Sequence, residues 1–501
     1  MAPGETRQLA FTTTFQQVGF RNSGNVVQLM DNGTFVNDRN LRPTIGMDRN
    51  GALEDRTKRR KYGLPPELHT PRLGQPGADQ FNGLTRDSDW VKADITVTTD
   101  ADQTPMAPGY QAAQTVAHGR RTVHFVTDTA MLNFFSAQSA RYAVASVPYK
   151  GVQISVYYDP QHPWNVARIQ HVIEAGLDYY QANFSPYQFR QMRLLEFPAP
   201  QGSFAQSFAG TVPWSEGIFF IADNRDPTRV DMVTYVGAHE LAHQWWAHQE
   251  IEADEQGGPI LSETLAQYSA GMVMKHLYGA DMMRKFLKFE LDSYLRARGG
   301  AVKAELPLER VEDQDYIYYR KGSLAMYRLQ DQIGEAAVNR ALRHLLHDYA
   351  FKGPPYPTSL DLVKDLRAEA PADKQSLITD LFEKITLYEV KASNAVATRR
   401  PDGKWNLTFT VDAKKLYADG QGRETAAPMN ETLDVGAFDI KPGADGYDSG
   451  KVIAVQKLAI HSGVQTVTLV VGRLPKFAGV DPFNELIDRD AEATVTQVAA
   501  R

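Results

Sequence analysis

The sequence predicts a multidomain α+β protein, and two kinds of observation support this fold class. The chain has 501 residues, which is too long for one hydrophobic core and indicates about three domains. Strand patterns dominate residues 1–150, strand and helix patterns mix in residues 151–388, and strands separated by Gly-rich turns return in residues 389–501. We therefore expect a β-rich N-terminal domain, a mixed domain with a helical part, and a C-terminal β-sandwich.

The composition excludes several classes of protein. A hydrophobic content of 43% with 23% charged residues is that of an ordinary globular protein. The net charge of −6 gives no reason to expect nucleic acid as a partner. The absence of cysteine excludes disulfides, thiolate metal ligands and a cysteine nucleophile. No apolar run approaches the ~20 residues of a membrane helix, so the sequence predicts no membrane span within this chain.

The N-terminal residues contain two clear strand patterns and a long irregular stretch. Residues 93–98 and 122–126 alternate at period two, as half-buried strands do. Residues 38–90 are rich in Arg, Pro, Gly and Asp and predict a long ordered loop. Within them, the basic run 56–61 follows two acidic residues and is interpreted as a solvated loop, with contact to lipid or a neighbouring domain as the alternative.

The middle of the chain alternates strands and helices. Residues 152–158 predict a strand, and apolar residues at helical spacing between positions 166 and 180 predict a helix. Short strands are predicted at residues 194–197 and 218–222, and residues 280–385 are predicted to be mostly helical.

Two histidines four residues apart, His239 and His243, indicate a metal site. Side chains at this spacing share one face of an α-helix, so two imidazole nitrogens can bind one ion. Glu240 lies about 100° round the helix, where its carboxylate can reach water at the metal rather than the metal itself. This is the position of a general base. The segment therefore predicts a helical zinc site.

A short motif needs support from its surroundings, because a random chain of this composition contains His-Glu-x-x-His in roughly two cases per hundred. A second helix is predicted from residue 260, with Ser262 as its N-cap and Gly279 at its end. Glu263, in its first turn, can bring a carboxylate to the metal, or it can simply complement the helix dipole. We prefer the interpretation of Glu263 as a metal ligand because of the neighbouring His-Glu-x-x-His segment.

These residues resemble the zinc signature of the aminopeptidase N family, the gluzincins. His239-Glu240-x-x-His243 is followed by Leu261-Ser262-Glu263, with residues 244–262 making nineteen intervening residues where the family usually has eighteen. Ser262 replaces the family's usual Asn. The resemblance implies one zinc ion bound by His239, His243 and Glu263, with Glu240 as general base. It also implies a thermolysin-like catalytic domain and a saddle-like β domain before it.

A tyrosine further along the chain extends the resemblance. Tyr319-Arg320-Lys321-Gly322 is similar to the family's Tyr-x-Lys-Gly segment, whose Tyr donates a hydrogen bond to the developing oxyanion. Tyr316 and Tyr318 are alternative candidates for this role, and all three tyrosines could instead form a packed aromatic cluster. The register of Lys321 and Gly322 favours Tyr319 as the catalytic residue.

A glutamate before the zinc helix is the candidate for substrate binding. The segment Pro213–Gly217 stands where the family has Gly-x-Met-Glu-Asn, and Glu216 lies 23 residues before His239. The resemblance implies that Glu216 binds the free α-amine of a peptide. An exposed glutamate at a strand edge is the alternative interpretation.

The sequence around these motifs is similar to that of one subgroup of the family. The segments 185–188, 206–208 and 265–270 resemble the peptidase-like domains at the C-terminal end of bacterial ABC-transporter permease polypeptides. This resemblance implies a transporter membrane portion in the same polypeptide as a partner, and a location on the extracytoplasmic (periplasmic) side of a bacterial membrane. Without it, a cytoplasmic location is expected.

Two functions from different classes follow from these residues. The first is zinc-dependent hydrolysis of peptide bonds, by an aminopeptidase that releases N-terminal residues or by an endopeptidase of the same fold. The second is a zinc-containing peptide-binding module of an ABC-transporter assembly, with weak or no peptidase activity. A peptide is the expected partner in both.

Overall fold

The computed structural model describes residues 5–16, 28–43, 51–85 and 88–500. The chain divides into two compact units. The first unit comprises Met1–Leu68, Leu84–His171 and Gln188–Ala222. The second unit comprises His69–Gly83, Val172–Tyr187 and Asp223–Arg501. The predicted boundaries after residues 150 and 388 remain predictions.

The first unit is rich in strands, as the sequence predicts. Its strands are β1 (Thr34–Asn37), β2 (Trp90–Val91), β3 (Asp94–Asp100), β4 (Thr104–Met106), β5 (Tyr110–Ala117), β6 (Arg120–Val126), β7 (Met131–Leu132), β8 (Ser136–Ala140), β9 (Ala143–Tyr149), β10 (Val152–Tyr158), β11 (Gln191–Phe197) and β12 (Thr211–Ser215). They form sheets in the orders β1-β8-β4, β2-β7, β3-β6-β5 and β12-β11-β10-β9. The predicted strands at residues 93–98, 122–126, 152–158 and 194–197 are all present.

The four-stranded sheet leads into the residues that carry the candidate chemistry. Strands β10, β11 and β12 are parallel, and β9 pairs antiparallel with β10. Leu194 and Leu195 of β11 are successive residues and both fully buried, so both faces of this strand are covered. β12 is an edge strand of this sheet and ends at Ser215, one residue before Glu216.

Two predictions in this unit are wrong. Residues 218–222 do not form a strand, because Glu216–Phe220 is a π-helical turn. The Asn165 side chain donates to the Phe219 and Ala222 carbonyls at 2.7 and 2.9 Å, so these groups are paired without a neighbouring strand. The basic run is a short helix rather than a loop, because the Asp55 side chain accepts a hydrogen bond from the Lys58 N–H and caps it.

Helices predominate in the middle of the chain, which confirms the predicted helical part. The helices of the chain are α1 (Asp38–Leu41), α2 (Arg56–Lys61), α3 (Val166–Asn183), α4 (Met232–Ala242), α5 (Leu265–Tyr278), α6 (Arg284–Gly300), α7 (Gly322–Ile333), α8 (Glu335–Tyr349), α9 (Ser359–Glu369) and α10 (Gln375–Ile378). Further π-helical turns occur at Ile260–Thr264, Tyr316–Lys321 and Thr379–Glu383. Among the described residues, no helix combines the length and apolar character needed to cross a bilayer.

The C-terminal residues are strands packed on one apolar core. The strands are β13 (Ile385–Arg399), β14 (Trp405–Ala418), β15 (Glu424–Ala427), β16 (Asn430–Phe438), β17 (Val452–His461), β18 (Gly463–Val471), β19 (Phe477–Val480) and β20 (Val495–Ala500). They pair in the order β15-β14-β13-β20-β19-β16-β17, with β18 on β14. Leu407, Leu433 and Val480 are among the fully buried core residues. The structure is therefore a mixed, multidomain α and β fold.

Candidate metal centre

Helix α4 holds the two histidines in a buried position. The helix begins after Asp231, whose side chain accepts hydrogen bonds from the Thr234 N–H and hydroxyl at 3.1 and 2.7 Å. His239 lies in its last turn and His243 is the C-cap residue. The Tyr180 hydroxyl donates to the Ala238 carbonyl at 2.8 Å, which fixes the helix from the side of α3. The predicted helical placement of both histidines agrees with the structure.

Glu263 reaches the histidines from a π-helical turn that leads into α5. Ser262 was expected to be the N-cap, but it lies inside the turn Ile260–Thr264. Its hydroxyl donates to Glu252 Oε1 at 3.2 Å instead of capping the helix. Gly279 ends α5 at a positive φ of 93°, as predicted.

The ligand atoms of His239, His243 and Glu263 form a small triangle. The two Nε2 atoms lie 3.0 Å apart, and each lies 3.4 Å from Glu263 Oε2. In a tetrahedral zinc site with bonds of 2.0–2.1 Å, ligand atoms are about 3.3 Å from one another. The three distances therefore fit three corners of such a site, and a fourth position remains for water or substrate.

The donor set also suits a cation. His243 Nδ1 lies 2.9 Å from the Trp246 carbonyl oxygen, which can only accept, so Nδ1 donates and Nε2 is the nitrogen that faces the other two ligand atoms. In the described part of the chain, buried Glu263 Oε2 has no hydrogen-bond partner. A nitrogen of an imidazole and an oxygen of a carboxylate thus face the same point. A divalent ion such as zinc satisfies them together.

The electrostatics of the centre favour a charged Glu263. Burial opposes this charge, but the two imidazoles, His243 first, outweigh it and hold the pKa of Glu263 well below its usual range. Burial likewise opposes the charged form of His243, but Glu263 outweighs it and raises the pKa of His243 to about 9. Burial lowers the pKa of His239. Burial also raises the pKa of Glu240 to about 7, although the charge of His243 opposes the shift.

Tyr319 lies beside the metal ligands. Its ring centroid is 5.9 Å from that of His239, and its hydroxyl interacts with the Glu263 carboxylate. Tyr318 packs on Tyr319 with ring centroids 4.9 Å apart, whereas Tyr316 packs on Tyr294. Tyr316 is therefore part of a different aromatic contact. Among the three tyrosines, the contact with a histidine ligand favours Tyr319.

The residues after Tyr319 explain its position. Arg320 binds the fully buried Glu290, with its Nη1 3.1 Å from Oε1. Lys321 is buried and donates to Glu305 Oε1 at 3.1 Å. A Cβ on Gly322 would lie 2.4 Å from Thr264 Oγ1, so glycine lets this turn approach the turn that carries Glu263. The Lys and Gly of the motif therefore hold the tyrosine against the metal centre.

Glu216 lies in the first unit, whereas the other five candidate residues lie in the second. Its Oε1 accepts from the Ala199 N–H at 2.9 Å, and its Oε2 lies 4.0 Å from His162 Nδ1. His162 Nδ1 is 2.5 Å from Glu196, whose pKa burial raises to about 7 although His162 opposes the shift. Glu216 starts a π-helical turn rather than lying on a strand edge. Its proposed amine-binding role remains a prediction.

Sequence reasoning missed several neighbours of the centre. Glu252 is buried, and burial raises its pKa to about 7, with the charge of Glu263 contributing. Gln267 is buried one helical turn after Glu263, and its Nε2 lies 3.5 Å from the Tyr319 carbonyl oxygen. The spacing of four residues from Glu263 could have indicated Gln267. No local signal indicated Glu252, because its contact with Ser262 depends on the intervening loop.

Comparisons with known proteins agree with this geometry. Residues 164–381 match the sequence profile of the Peptidase family M1 domain, and this range contains all six candidate residues. The chain is 23% identical over 250 residues to Endoplasmic reticulum aminopeptidase 1 of Homo sapiens, covering 48% of this chain and 26% of that protein. It is 25% identical over 183 residues to Probable aminopeptidase 1 of Sulfurisphaera tokodaii, covering 35% of this chain and 23% of that protein.

A third relative is also named as an aminopeptidase. Endoplasmic reticulum aminopeptidase 2 of Homo sapiens is 24% identical over 244 residues, covering 46% of this chain and 25% of that protein. The chain thus spans about a quarter of the length of these three relatives. None of the three is named as a transporter permease.

Gly322→Ala is expected to disturb the contact between the two π-helical turns. The added Cβ would meet Thr264 at 2.4 Å, and such overpacking typically costs about 1–3 kcal/mol. We expect a lower temperature of thermal unfolding. Gly299→Ala is the matched control, because nothing lies within 4 Å of its Cβ position in α6. Equal unfolding temperatures for Gly322→Ala and the unmodified protein would contradict the close approach.

Proposed function

We propose that this chain is a zinc-dependent peptidase acting at the N-terminus of peptides, because residues 164–381 match the profile of the Peptidase family M1 domain. The observation that carries this proposal is the triangle of His239, His243 and Glu263, with ligand atoms 3.0–3.4 Å apart. Glu240 follows His239 in the helix, and the Tyr319 ring centroid lies 5.9 Å from that of His239, which supports their proposed roles as base and oxyanion donor. The relatives are named as aminopeptidases, which supports the same class of substrate.

The proposed reaction is hydrolysis of a peptide bond. Zinc held by His239, His243 and Glu263 supplies a Lewis acid that acidifies water and polarises the scissile carbonyl. Glu240 takes the proton of the attacking water and then passes it to the leaving nitrogen. The Tyr319 hydroxyl donates a hydrogen bond to the carbonyl oxygen as negative charge develops on it. These roles need one base and one donor, which the site provides on separate elements.

Release of single N-terminal residues requires recognition of a free amine, and Glu216 is the proposed group. Its side chain is about one quarter exposed, at 26%, and carries a carboxylate oxygen 4.0 Å from His162. A carboxylate in this position suits an ammonium ion. Its other oxygen already accepts from the Ala199 N–H, which holds the side chain in one orientation.

A peptide-binding module with weak or no hydrolysis is the second candidate. The bond from Ala199 to Glu216 favours it, because a carboxylate that binds backbone has less capacity for a substrate amine. A base at Glu240 and a donor at Tyr319 favour the peptidase, because binding alone needs neither. The transporter membrane portion remains a prediction from the sequence resemblance, and so does an extracytoplasmic location.

Glu240→Gln is expected to abolish turnover while zinc stays bound. The amide has nearly the same shape but cannot take a proton, and loss of a general base typically lowers rates by roughly 10²- to 10⁴-fold. The measurement pairs zinc content by elemental analysis with release of dye from aminoacyl substrates. His243→Ala serves as the comparison, since it should lose zinc as well as activity. Hydrolysis retained by Glu240→Gln would refute its role as base.

The rate should fall towards acid pH as Glu240 becomes protonated. Burial raises the pKa of Glu240 from 4.5 to about 7 before any metal is considered, and a nearby divalent cation favours the carboxylate and lowers that pKa. We therefore expect kcat/KM of the zinc-loaded protein to fall about tenfold per pH unit below a midpoint between 4.5 and 7. If kcat/KM falls towards acid pH with a midpoint clearly above 7, the titrating group is not Glu240.

Blocking the substrate amine tests Glu216. We expect hydrolysis of free-amine aminoacyl substrates and little hydrolysis of their N-acetylated forms, because the acetyl group removes the charge that Glu216 pairs with. Glu216→Gln should raise KM for free amines and narrow the difference between the two substrate series. Equal hydrolysis of both series by the unmodified protein would establish an endopeptidase, and zinc without any turnover would favour the binding module.

A further inference from the structure

Gln267 contacts three parts of the metal centre at once. It lies one turn after Glu263 on the same helix face, and its side chain is buried. Its carboxamide interacts with the ring of His239 and with the hydroxyl of Tyr235. Its Nε2 also lies 3.5 Å from the backbone carbonyl oxygen of Tyr319. No role has yet been given to this residue.

The hydrogen-bonding capacity of these groups decides how the amide is oriented. A carboxamide has two N–H donors and one acceptor oxygen. The Tyr319 carbonyl can only accept. The Tyr235 hydroxyl uses its hydrogen on Glu290 Oε1 at 2.8 Å, so it too accepts from Gln267. Both N–H groups of Gln267 are thus assigned, and its Oε1 is left for His239.

His239 has a ring nitrogen that can donate a hydrogen bond to this oxygen. Its Nε2 faces His243 and Glu263. Its Nδ1 is buried and has no hydrogen-bond partner among the described residues. A ligand histidine commonly donates its second ring N–H to an oxygen acceptor, which fixes the tautomer and raises the basicity of the ligand atom. The oxygen of Gln267 is the group placed to accept it.

We propose that Gln267 is a positioning residue, which accepts a hydrogen bond from Nδ1–H of His239 and holds the turn of Tyr319 through one of its N–H groups. The first bond keeps the lone pair of His239 Nε2 directed at the metal position. The bond to the Tyr319 carbonyl sets the distance between His239 and the Tyr319 hydroxyl. This inference rests on the proposed zinc peptidase function, because both groups act on the metal centre.

A second buried residue, Glu290, also contacts both the zinc helix and the turn of Tyr319. Glu290 of α6 is fully buried and accepts from Tyr235, four residues before His239, and from Arg320, next to Tyr319. Gln267 and Glu290 therefore both link the zinc helix to the tyrosine turn. Gln267 differs in contacting a proposed ligand itself, so its removal should change metal binding as well as catalysis.

Two substitutions separate the two bonds of Gln267. Gln267→Glu keeps an acceptor for His239 but loses the donors to Tyr319. Gln267→Met has neither group and a similar volume. Gln330→Met is the matched control, because Gln330 is a buried glutamine that accepts from Lys275 at 2.9 Å and contacts none of the six candidate residues in the described structure.

The first measurement is zinc affinity, by competition with a chromophoric chelator, which does not depend on turnover. Loss of an outer partner of a ligand typically weakens metal binding by about 10- to 100-fold. We expect such a loss in Gln267→Met, and an affinity equal to or above that of the unmodified protein in Gln267→Glu and Gln330→Met. Unchanged affinity in Gln267→Met would overturn the acceptor role, as would equal loss in both Gln267 variants.

The second measurement is the division between kcat and KM on free-amine substrates. We expect Gln267→Glu to lower kcat by about 10-fold with KM and zinc content unchanged, because the substitution removes the N–H donors to the Tyr319 turn and to Tyr235 but keeps an acceptor for His239. Unchanged kcat in this variant would overturn the second role. If the unmodified protein binds zinc without hydrolysis, the proposed function fails while the affinity series still decides the role of Gln267. If Gln267→Met does not fold, Gln267→Glu still tests the bond to the Tyr319 turn through kcat, and a weaker zinc affinity in Gln267→Glu would overturn the acceptor role.

Discussion

The structure of the second unit depends on holding three hydrogen-bond acceptors at one point in the protein interior. Two imidazole nitrogens and a carboxylate oxygen lie 3.0–3.4 Å from one another. Without a cation or shared protons, such an arrangement loses solvation and gains repulsion. Each group is therefore fixed by a rigid buried element: His239 and His243 by α4, and Glu263 by the turn before α5.

Three of the six candidate residues lie in π-helical turns. Glu216, Glu263 and Tyr319 occupy turns at Glu216–Phe220, Ile260–Thr264 and Tyr316–Lys321. A π-helical turn accommodates one extra residue in a helix and redirects the side chains around it. The nineteen residues between the second histidine and Glu263, one more than the family's usual number, are compatible with such a turn. Tight packing at Gly322 and the bond from Thr264 to the Tyr318 carbonyl hold two of these turns together.

Three carboxyl groups, those of Glu240, Glu252 and Glu263, interact electrostatically in and beside the proposed metal centre. Burial raises the pKa values of Glu240 and Glu252 to about 7, whereas the imidazoles keep the pKa of Glu263 low despite its burial. A divalent cation would favour the ionised form of all three carboxyl groups. The same low-dielectric surroundings that raise these pKa values also strengthen the attraction to the ion. Burial therefore favours a base that titrates near neutral pH and a tightly held metal together.

The sequence by itself predicted the candidate chemistry and determined the types of most of the main elements. The spacing of His239 and His243 predicts a shared helix face, because helical geometry is local. The strands at residues 152–158 and 194–197 follow from apolar patterns that the structure confirms. The choice of Tyr319 came from the register of Lys321 and Gly322, whose contacts with Glu305 and Thr264 show why that register matters.

Only the tertiary structure decided how distant residues meet. Ser262 is a residue type favoured at an N-cap, but its hydroxyl bonds Glu252, and it lies inside the π-helical turn that begins at Ile260. Residues 218–222 have a strand composition, but the Asn165 side chain bonds their carbonyls and favours a turn. The places of Gln267 and Glu290 also depend on helix packing. Local propensities amount to fractions of a kcal/mol per residue, so a single buried hydrogen bond between distant residues is enough to override them.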